Sequence, residues 1–345
     1  MKLSVLDLSV VPRSGDRQQA LMNTLDTAKK VDEWGYTRFW MAEHHATGAA
    51  AGRSPEVLIP LVASQTSQLK VGSGAVLLNH YSPFKVAEVF NTLEDLFPGR
   101  IDMGIGRATT GPVSDLALQR RRSVYRPSAD DSAEQLQELV QWMNNSFEAD
   151  SPFAQIQSYN NGSSPNFWLL GSSSWSAMAA AKLGLRYAFS GFINPMQSYG
   201  ISQIYHQQFT PAKQASGLQK PTLMLALNVF VAETAEEANR LSAPFQLFER
   251  RLRSSGDIQS LLKDEDTAIR LLGGLREPEM LTDPQQPPRV LIGTPDQVRD
   301  WLMQIGEAYE TDEIMVHTLS SNHEARLRSY QLLADAFELR KTDSC

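Results

Sequence analysis

Glu43, His44 and His45 follow one another directly behind a short apolar run, Phe39-Trp40-Met41-Ala42. On an extended segment neighbouring side chains point to opposite sides, so one of two adjacent histidines can face a cavity while the other cannot. Histidine is the natural proton donor or acceptor near neutral pH. Metal ligation from a helix face needs the spacing His-x-x-x-His, which is absent here, so no metal site is expected. Three further stretches carry residue types suited to a ligand. Val71-Gly72-Ser73-Gly74-Ala75-Val76 sets two glycines in an apolar run. They weaken a strand, yet they let a flat ligand approach the backbone. Asp102-Met103-Gly104-Ile105-Gly106-Arg107 ends in an arginine beside glycines, a combination suited to an anion. Its next glycine, Gly111, comes too late for the dinucleotide fingerprint Gly-x-Gly-x-x-Gly. Leu170-Gly171-Ser172-Ser173-Ser174-Trp175-Ser176 places hydroxyls where a helix begins, either a phosphate cradle or a plain N-cap.

The elements that would position these groups alternate. Residues 3–11 read as a strand bounded by Pro12 and Gly15. A helical stripe follows at Leu21, Leu25, Ala28 and Val31, with Gly35 where a C-cap belongs. Ser54-Pro55-Glu56 and Ser82-Pro83 open helices, as does Thr294-Pro295-Asp296. Strands are expected at residues 39–45, 71–78, 100–104, 167–170, 187–189, 223–231 and 313–316, with helices between most of them. Eight such strands predict a closed (β/α)8 TIM barrel, residues 1–345 forming a single domain, with surplus length in loops at 108–131 and 251–289. In that architecture active residues sit at the C-terminal ends of strands, where all four stretches fall.

The chain has 345 residues, 42% hydrophobic and 21% charged, with a formal net charge of -7. That balance gives no reason to bind nucleic acid or an anionic membrane surface. The single cysteine, Cys345, excludes a disulfide framework and a multi-cysteine metal site within the chain. No signal-peptide core or membrane-spanning stretch is read, so a cytoplasmic location is expected. The longest apolar run, residues 223–232, is interrupted by Asn228. Of the other histidines, His80 is a candidate for the mouth, His317 suits mouth or framework equally, His206 reads as structural or exposed, and His323 as solvent-facing or a cap. Trp40, Tyr81, Phe192 and Met196 are candidates for an apolar pocket or for packing.

Taken in order, several stretches resemble the bacterial luciferase-like flavin-dependent oxidoreductases over nearly the full length. They are Trp40-Met41-Ala42-Glu43-His44-His45, residues 71–76, residues 98–108, Trp168-Leu169-Leu170-Gly171-Ser172-Ser173, Val290-Leu291-Ile292-Gly293-Thr294-Pro295 and Asp312-Glu313-Ile314-Met315-Val316. The resemblance implies a luciferase-like barrel binding FMN at its mouth, with His44 and Glu43 catalytic. It implies that Gly74 and Ala75 lie beneath the flavin ring, at a peptide bond that is often cis in the family. It makes Arg107 the phosphate arginine, with Ser172, Ser173 and Ser176 completing that site. The implied activity is monooxygenation of a small organic substrate with O2 and reduced FMN, the latter from a separate flavin reductase, by a homodimer. A deazaflavin-dependent dehydrogenase and a non-catalytic flavin-binding protein are the alternatives. A metal hydrolase is disfavoured by too few carboxylate and histidine strand ends. The chain departs from the pattern in carrying Gly106 where the light-emitting branch has a reactive cysteine, and Thr109-Thr110-Gly111-Pro112 after Ala108. Ala133 stands about where a second phosphate arginine is expected, leaving Arg122 or Arg126 as substitutes. No long mobile lid is recognisable at 251–289, so light emission is not expected.

Overall fold

Short apolar strands, each followed by an amphipathic helix, set the path of the chain. The computed structural model describes residues 1–107, 112–118, 130–156, 163–212, 217–256 and 261–341. The first part runs β1 (Lys2–Asp7), α1 (Arg17–Glu33), β2 (Arg38–Met41), α2 (Pro55–Ala63), β3 (Lys70–Ser73), β4 (Val76–Leu77), α3 (Pro83–Leu96) and β5 (Ile101–Gly106). It continues with α4 (Pro112–Leu118), α5 (Ser132–Asn144), β6 (Asn166–Gly171), α6 (Ser174–Lys182), β7 (Arg186–Ser190) and α7 (Ser198–Gln208). The last part is β8 (Leu223–Val231), α8 (Ala235–Ser255), α9 (Glu265–Leu272), β9 (Val290–Gly293), α10 (Pro295–Ala308), β10 (Glu313–His317) and α11 (His323–Ala336).

All strand pairings are parallel, and β10 bonds to both β1 and β8, which closes the expected eight-strand barrel. The expected strand at 71–78 is split. The Gly74–Ala75 peptide is cis, and β4 resumes beyond it, paired with β5. Besides β7, β8 serves two further partners along its length: Leu225 to Asn228 pair with β10, and Asn228 to Val231 pair with β9, outside the closed ring. The first strand is shorter than its apolar run, ending at Asp7. Asp7 turns there to accept the Ser9 N–H and pairs with Arg326 of α11.

Part of the region read as surplus loop at 251–289 is helical. Thr234 and Glu237 form a reciprocal capping box that opens α8, a helix the sequence reading left unassigned. α9 packs on α8 through Ala243, Leu247 and Ala268.

Strand side chains alternate between two cores. Outward residues such as Phe39, Val71, Ile101, Met103, Ile314 and Val316 pack beneath the helices. Inward residues Leu6, Trp40, Trp168, Ala188, Met224 and Met315 fill the barrel. Trp40 and Trp168 meet edge to face at 5.4 Å. Trp40 is therefore packing, fully buried in the middle layer and not part of a pocket.

Below that layer the barrel is closed by charge. The Arg38 guanidinium donates from Nε to Glu313 Oε1 at 2.7 Å and from Nη1 to both oxygens of Asp102, at 3.0 and 2.8 Å. Trp40 Nε1 and Asn166 Nδ2 also donate to Asp102, and Ser4 Oγ donates to Glu313. Burial alone would lower the Arg38 pKa, but Asp102 and then Glu313 raise it above the usual value. Breaking a buried pair by removing one partner leaves an uncompensated charge. Asp102→Ala is accordingly predicted to cost about 3–5 kcal/mol in urea unfolding. A loss under about 1 kcal/mol would show that water or Glu313 alone satisfies Arg38.

Candidate active site

The inward row on β2 runs Arg38, Trp40 and then Ala42 of the inner cluster. Two residues further on, His44 takes the same side at the barrel mouth, and its N–H is tied to the Gly52 carbonyl at 3.0 Å. The imidazole is exposed to solvent yet surrounded by protein, as on the wall of a cleft. Enclosure, and then the neighbouring His45, push its pKa down to about 4. Water in the open mouth tempers that shift, so it applies in full only when a ligand covers the ring.

Glu43 points the other way and its side chain is buried. Oε1 accepts from the Tyr81 hydroxyl at 2.7 Å and lies 2.6 Å from His45 Nε2, and Oε2 accepts from the Leu77 N–H at 3.0 Å. Burial and then Glu43 raise the Tyr81 hydroxyl well above its usual pKa, so Tyr81 stays a donor. The carboxylate thus fixes β4 at Leu77, beyond the point where β3 has left its ladder. Tyr81 belongs to this support, not to an open pocket.

On the far side of that break, Ser73 Oγ donates to the Gly104 carbonyl at 2.8 Å and accepts the Gly104 N–H at 3.0 Å. A side chain replaces ladder bonds and holds β3 close to β5. A Cβ at residue 104 would lie 1.9 Å from the Ser73 carbonyl oxygen, so only glycine fits. Gly106 faces Ala75, and a Cβ there would meet the Ala75 Cβ at 3.0 Å. Gly74, Ala75 and Gly106 together make a wall almost free of side chains.

Arg107 stands at the end of that wall. Its guanidinium lies 4.8 Å over the Trp175 ring and donates to Asp130 Oδ2 at 2.8 Å. Trp175 is in the first turn of α6, so the arginine is held beside the positive end of a helix. A recess next to it is lined by Gly106, Ser132, Gln135, Leu136 and Trp175. Asp130 is a carboxylate on a partly exposed arginine, a position an incoming phosphate could take over.

The serines divide. Ser173 caps α6 by accepting the Ser176 N–H and is exposed. Ser176 is buried, with Oγ donating to the Ser173 carbonyl and 3.0 Å from the Tyr187 hydroxyl. The Ser172 carbonyl accepts from Asn194. Ser172 and Ser173 remain near the surface at the start of α6, and Ser176 shapes the cap. Ala133 is exposed on α5. Arg122 and Arg126, with residues 108–111, lie outside the described residues.

His80 is buried, 3.7 Å from Asp115, and does not line the mouth. His206 lies against the Tyr309 carbonyl and His323 against Asp26, both framework contacts. Phe192 packs on the inner cluster, and Met196 is largely exposed. His317 at the end of β10 is buried, its Nδ1 3.0 Å from Asn228 Oδ1. Asn228 was not singled out as a site residue. The signal for it was the one polar interruption of an otherwise apolar strand.

Among the described residues no group of three or more His, Cys, Asp or Glu is placed to hold a metal ion, and no helix is long and apolar enough to cross a membrane. A family model described as luciferase-like monooxygenase matches residues 1–311. The chain is 34% identical to a luciferase-like monooxygenase of Escherichia coli (strain K12), over 97% of this chain and 96% of that one. It is 32% identical to the N-acetyl-S-alkylcysteine monooxygenase of Bacillus subtilis (strain 168), over 97% and 98%. The crystal structure of apo-MsnO8 superposes with a TM-score of 0.86 at 39% identity, covering 98% of both chains. The fold is also shared with the oxygenating constituent of 3,6-diketocamphane monooxygenase in complex with FMN, at TM-score 0.69 and 20% identity over 97% of each chain. An F420-dependent secondary alcohol dehydrogenase shares it at TM-score 0.64 and 12% identity, over 97% of this chain and 98% of that one.

Burial outweighs the nearby Asp7 and, helped by His44 and Arg326, holds the His317 pKa down to about 4, as enclosure does for His44. A histidine depressed on folding contributes stability that is present above its unfolded value near 6.5 and lost as pH falls toward its folded value. Stability to urea is predicted to fall between pH 6.5 and pH 4.5, and less steeply in His317→Gln. An identical pH profile in that variant would contradict the assignment.

Proposed function

Given that the chain belongs to the luciferase-like monooxygenase family, we propose that it binds reduced FMN at the barrel mouth and incorporates oxygen into a small organic substrate. The observation that carries this reading is Arg107, stacked on the first turn of α6 at the edge of a wall without side chains. A flavin mononucleotide needs both parts: a flat surface for its ring and a cationic, N–H-rich end for its phosphate. Gly74, Ala75 and Gly106 fit the first. Arg107, Ser172, Ser173 and the N-terminus of α6 fit the second, with Ser176 holding the cap in shape. When bound, the reduced flavin would supply the electrons that activate oxygen.

The chain's own groups then have distinct tasks. His44, neutral at pH 7, offers a ring nitrogen that accepts a proton or a hydrogen bond before it can donate one. Glu43 is a positioning residue in this reading, because both its oxygens are already engaged and it holds β4 in place. Leu8, Leu170 and Phe192, packed against the inner cluster, keep water from the reacting atoms. With no dinucleotide fingerprint in the chain, reduced flavin comes in this proposal from a separate reductase. A homodimer and a cytoplasmic location complete the proposal.

Anaerobic titration of wild type and Arg107→Ala with reduced FMN tests it. The variant is predicted to bind about 10- to 100-fold more weakly, the loss expected for a charged hydrogen-bonding partner. Mixing the complex with oxygen should then give slower flavin oxidation in the presence of protein than in free solution. Equal affinity in both proteins would remove Arg107 from the site. Binding of F420 in place of FMN would point to hydride transfer on the same barrel.

A further inference from the structure

One pair of polar side chains at the mouth takes no part in the reading above. Asn228 on β8 and His317 on β10 are register partners, directly above the inward pair Ala226 and Met315. Their exposures are only 3% and 5%. The contact between His317 Nδ1 and Asn228 Oδ1, 3.0 Å, is a hydrogen bond only if Nδ1 carries the proton, since an amide oxygen accepts and never donates. That tautomer leaves Nε2 as a bare lone pair. Nε2 is buried and has no hydrogen-bond partner among the described residues. Buried polar atoms are nearly always paired, so an orphan of this kind calls for an explanation.

The ring's surroundings say what could pair with it. Phe192 lies 5.9 Å away, centroid to centroid, and its carbonyl is held by Arg289. Leu8, Ala226 and Met315 belong to the same apolar cluster as Phe192. The charged or titratable groups felt by the ring are Asp7, His44 and Arg326, and burial outweighs Asp7 in keeping the imidazole neutral. A neutral ring fixed by Asn228 can only accept at Nε2. It stands at the C-terminal end of β10, two residues beyond inward Met315, on the side of the barrel where the mouth lies.

We propose that His317 Nε2 is the hydrogen-bond acceptor for a ligand in the barrel mouth, and that this ligand presents an O–H or N–H donor beside an apolar body. The inference rests on the flavin reading for the location of the mouth. Two sources of such a donor exist, the organic substrate and the flavin ring. The placement among apolar side chains serves either, so the test has an arm for each.

Long-range 1H–15N correlation spectra of 15N-histidine-labelled protein at pH 7 report the tautomer directly, with the His317 signals assigned by their loss in His317→Gln. The expected result is a neutral ring, protonated at Nδ1, whose Nε2 resonance moves when octan-1-ol is added but not with its isomer heptyl methyl ether. Wild type should also bind the alcohol roughly tenfold more tightly than the ether. His317→Leu should bind the two alike, and His317→Gln, which keeps a side-chain acceptor, should retain part of the preference. A shift of Nε2 with FMN and not with the alcohol would identify the flavin as the donor and uphold the acceptor role. A charged ring, a proton on Nε2, or no response to either ligand would overturn it. Failure of FMN to bind at all would sink the flavin reading alone, because the tautomer and the alcohol preference are read without it.

Discussion

The guanidinium of Arg38 is the point on which the barrel closes. It reaches from β2 to Asp102 on β5 and Glu313 on β10, and those carboxylates in turn engage Ser4 of β1 and Asn166 of β6. Five strands therefore meet in one buried network beneath the tryptophan layer. A charge buried among apolar side chains is tolerable only with its partners in place. That requirement ties the register of β2 to those of β5 and β10, and a one-residue slip would reverse every inward side chain above the floor. The position of His44 depends on this, since it lies on the same inward row as Arg38, six residues along.

Above the floor, side chains replace backbone ladder bonds wherever the wall must be flat. β3 and β4 are separated by the cis peptide at Gly74–Ala75, and both flanks are held by side chains. Ser73 clamps β3 to Gly104, and Glu43 holds Leu77 of β4. The result is an open surface of small residues with a supporting shell behind it, the arrangement a preorganised site requires. Arg107 and the α6 N-terminus bound one end of that surface, and His44 stands at the mouth. Of the adjacent histidines, one faces the cavity and the other braces the carboxylate behind it.

Much of this was legible in the sequence because a parallel barrel collects chemistry at strand ends. The alternation of apolar runs with capped helices marked the eight barrel strands, and four of their ends carried unusual residue types. What escaped has a physical explanation in each case. Arg38 and Glu313 are 275 positions apart, and no local spacing reveals a pair made by barrel closure. β9 is four residues long and pairs only with the outer half of β8, so the eight-strand count leaves no place for it. α8 begins with a capping box, Thr234 to Glu237, but its many charged residues resemble a loop unless that box is recognised. The partners of Glu43, the Tyr81 hydroxyl and the Leu77 N–H, lie 38 and 34 positions away and have no local signature either.

A crystal structure of the protein soaked with FMN tests the central claim most directly. The phosphate should lie on Arg107 at the N-terminus of α6, with Asp130 released from the guanidinium. The flavin ring should lie against Gly74, Ala75 and Gly106, within reach of His44. A phosphate bound away from Arg107, or a ring that leaves this wall bare, would contradict it.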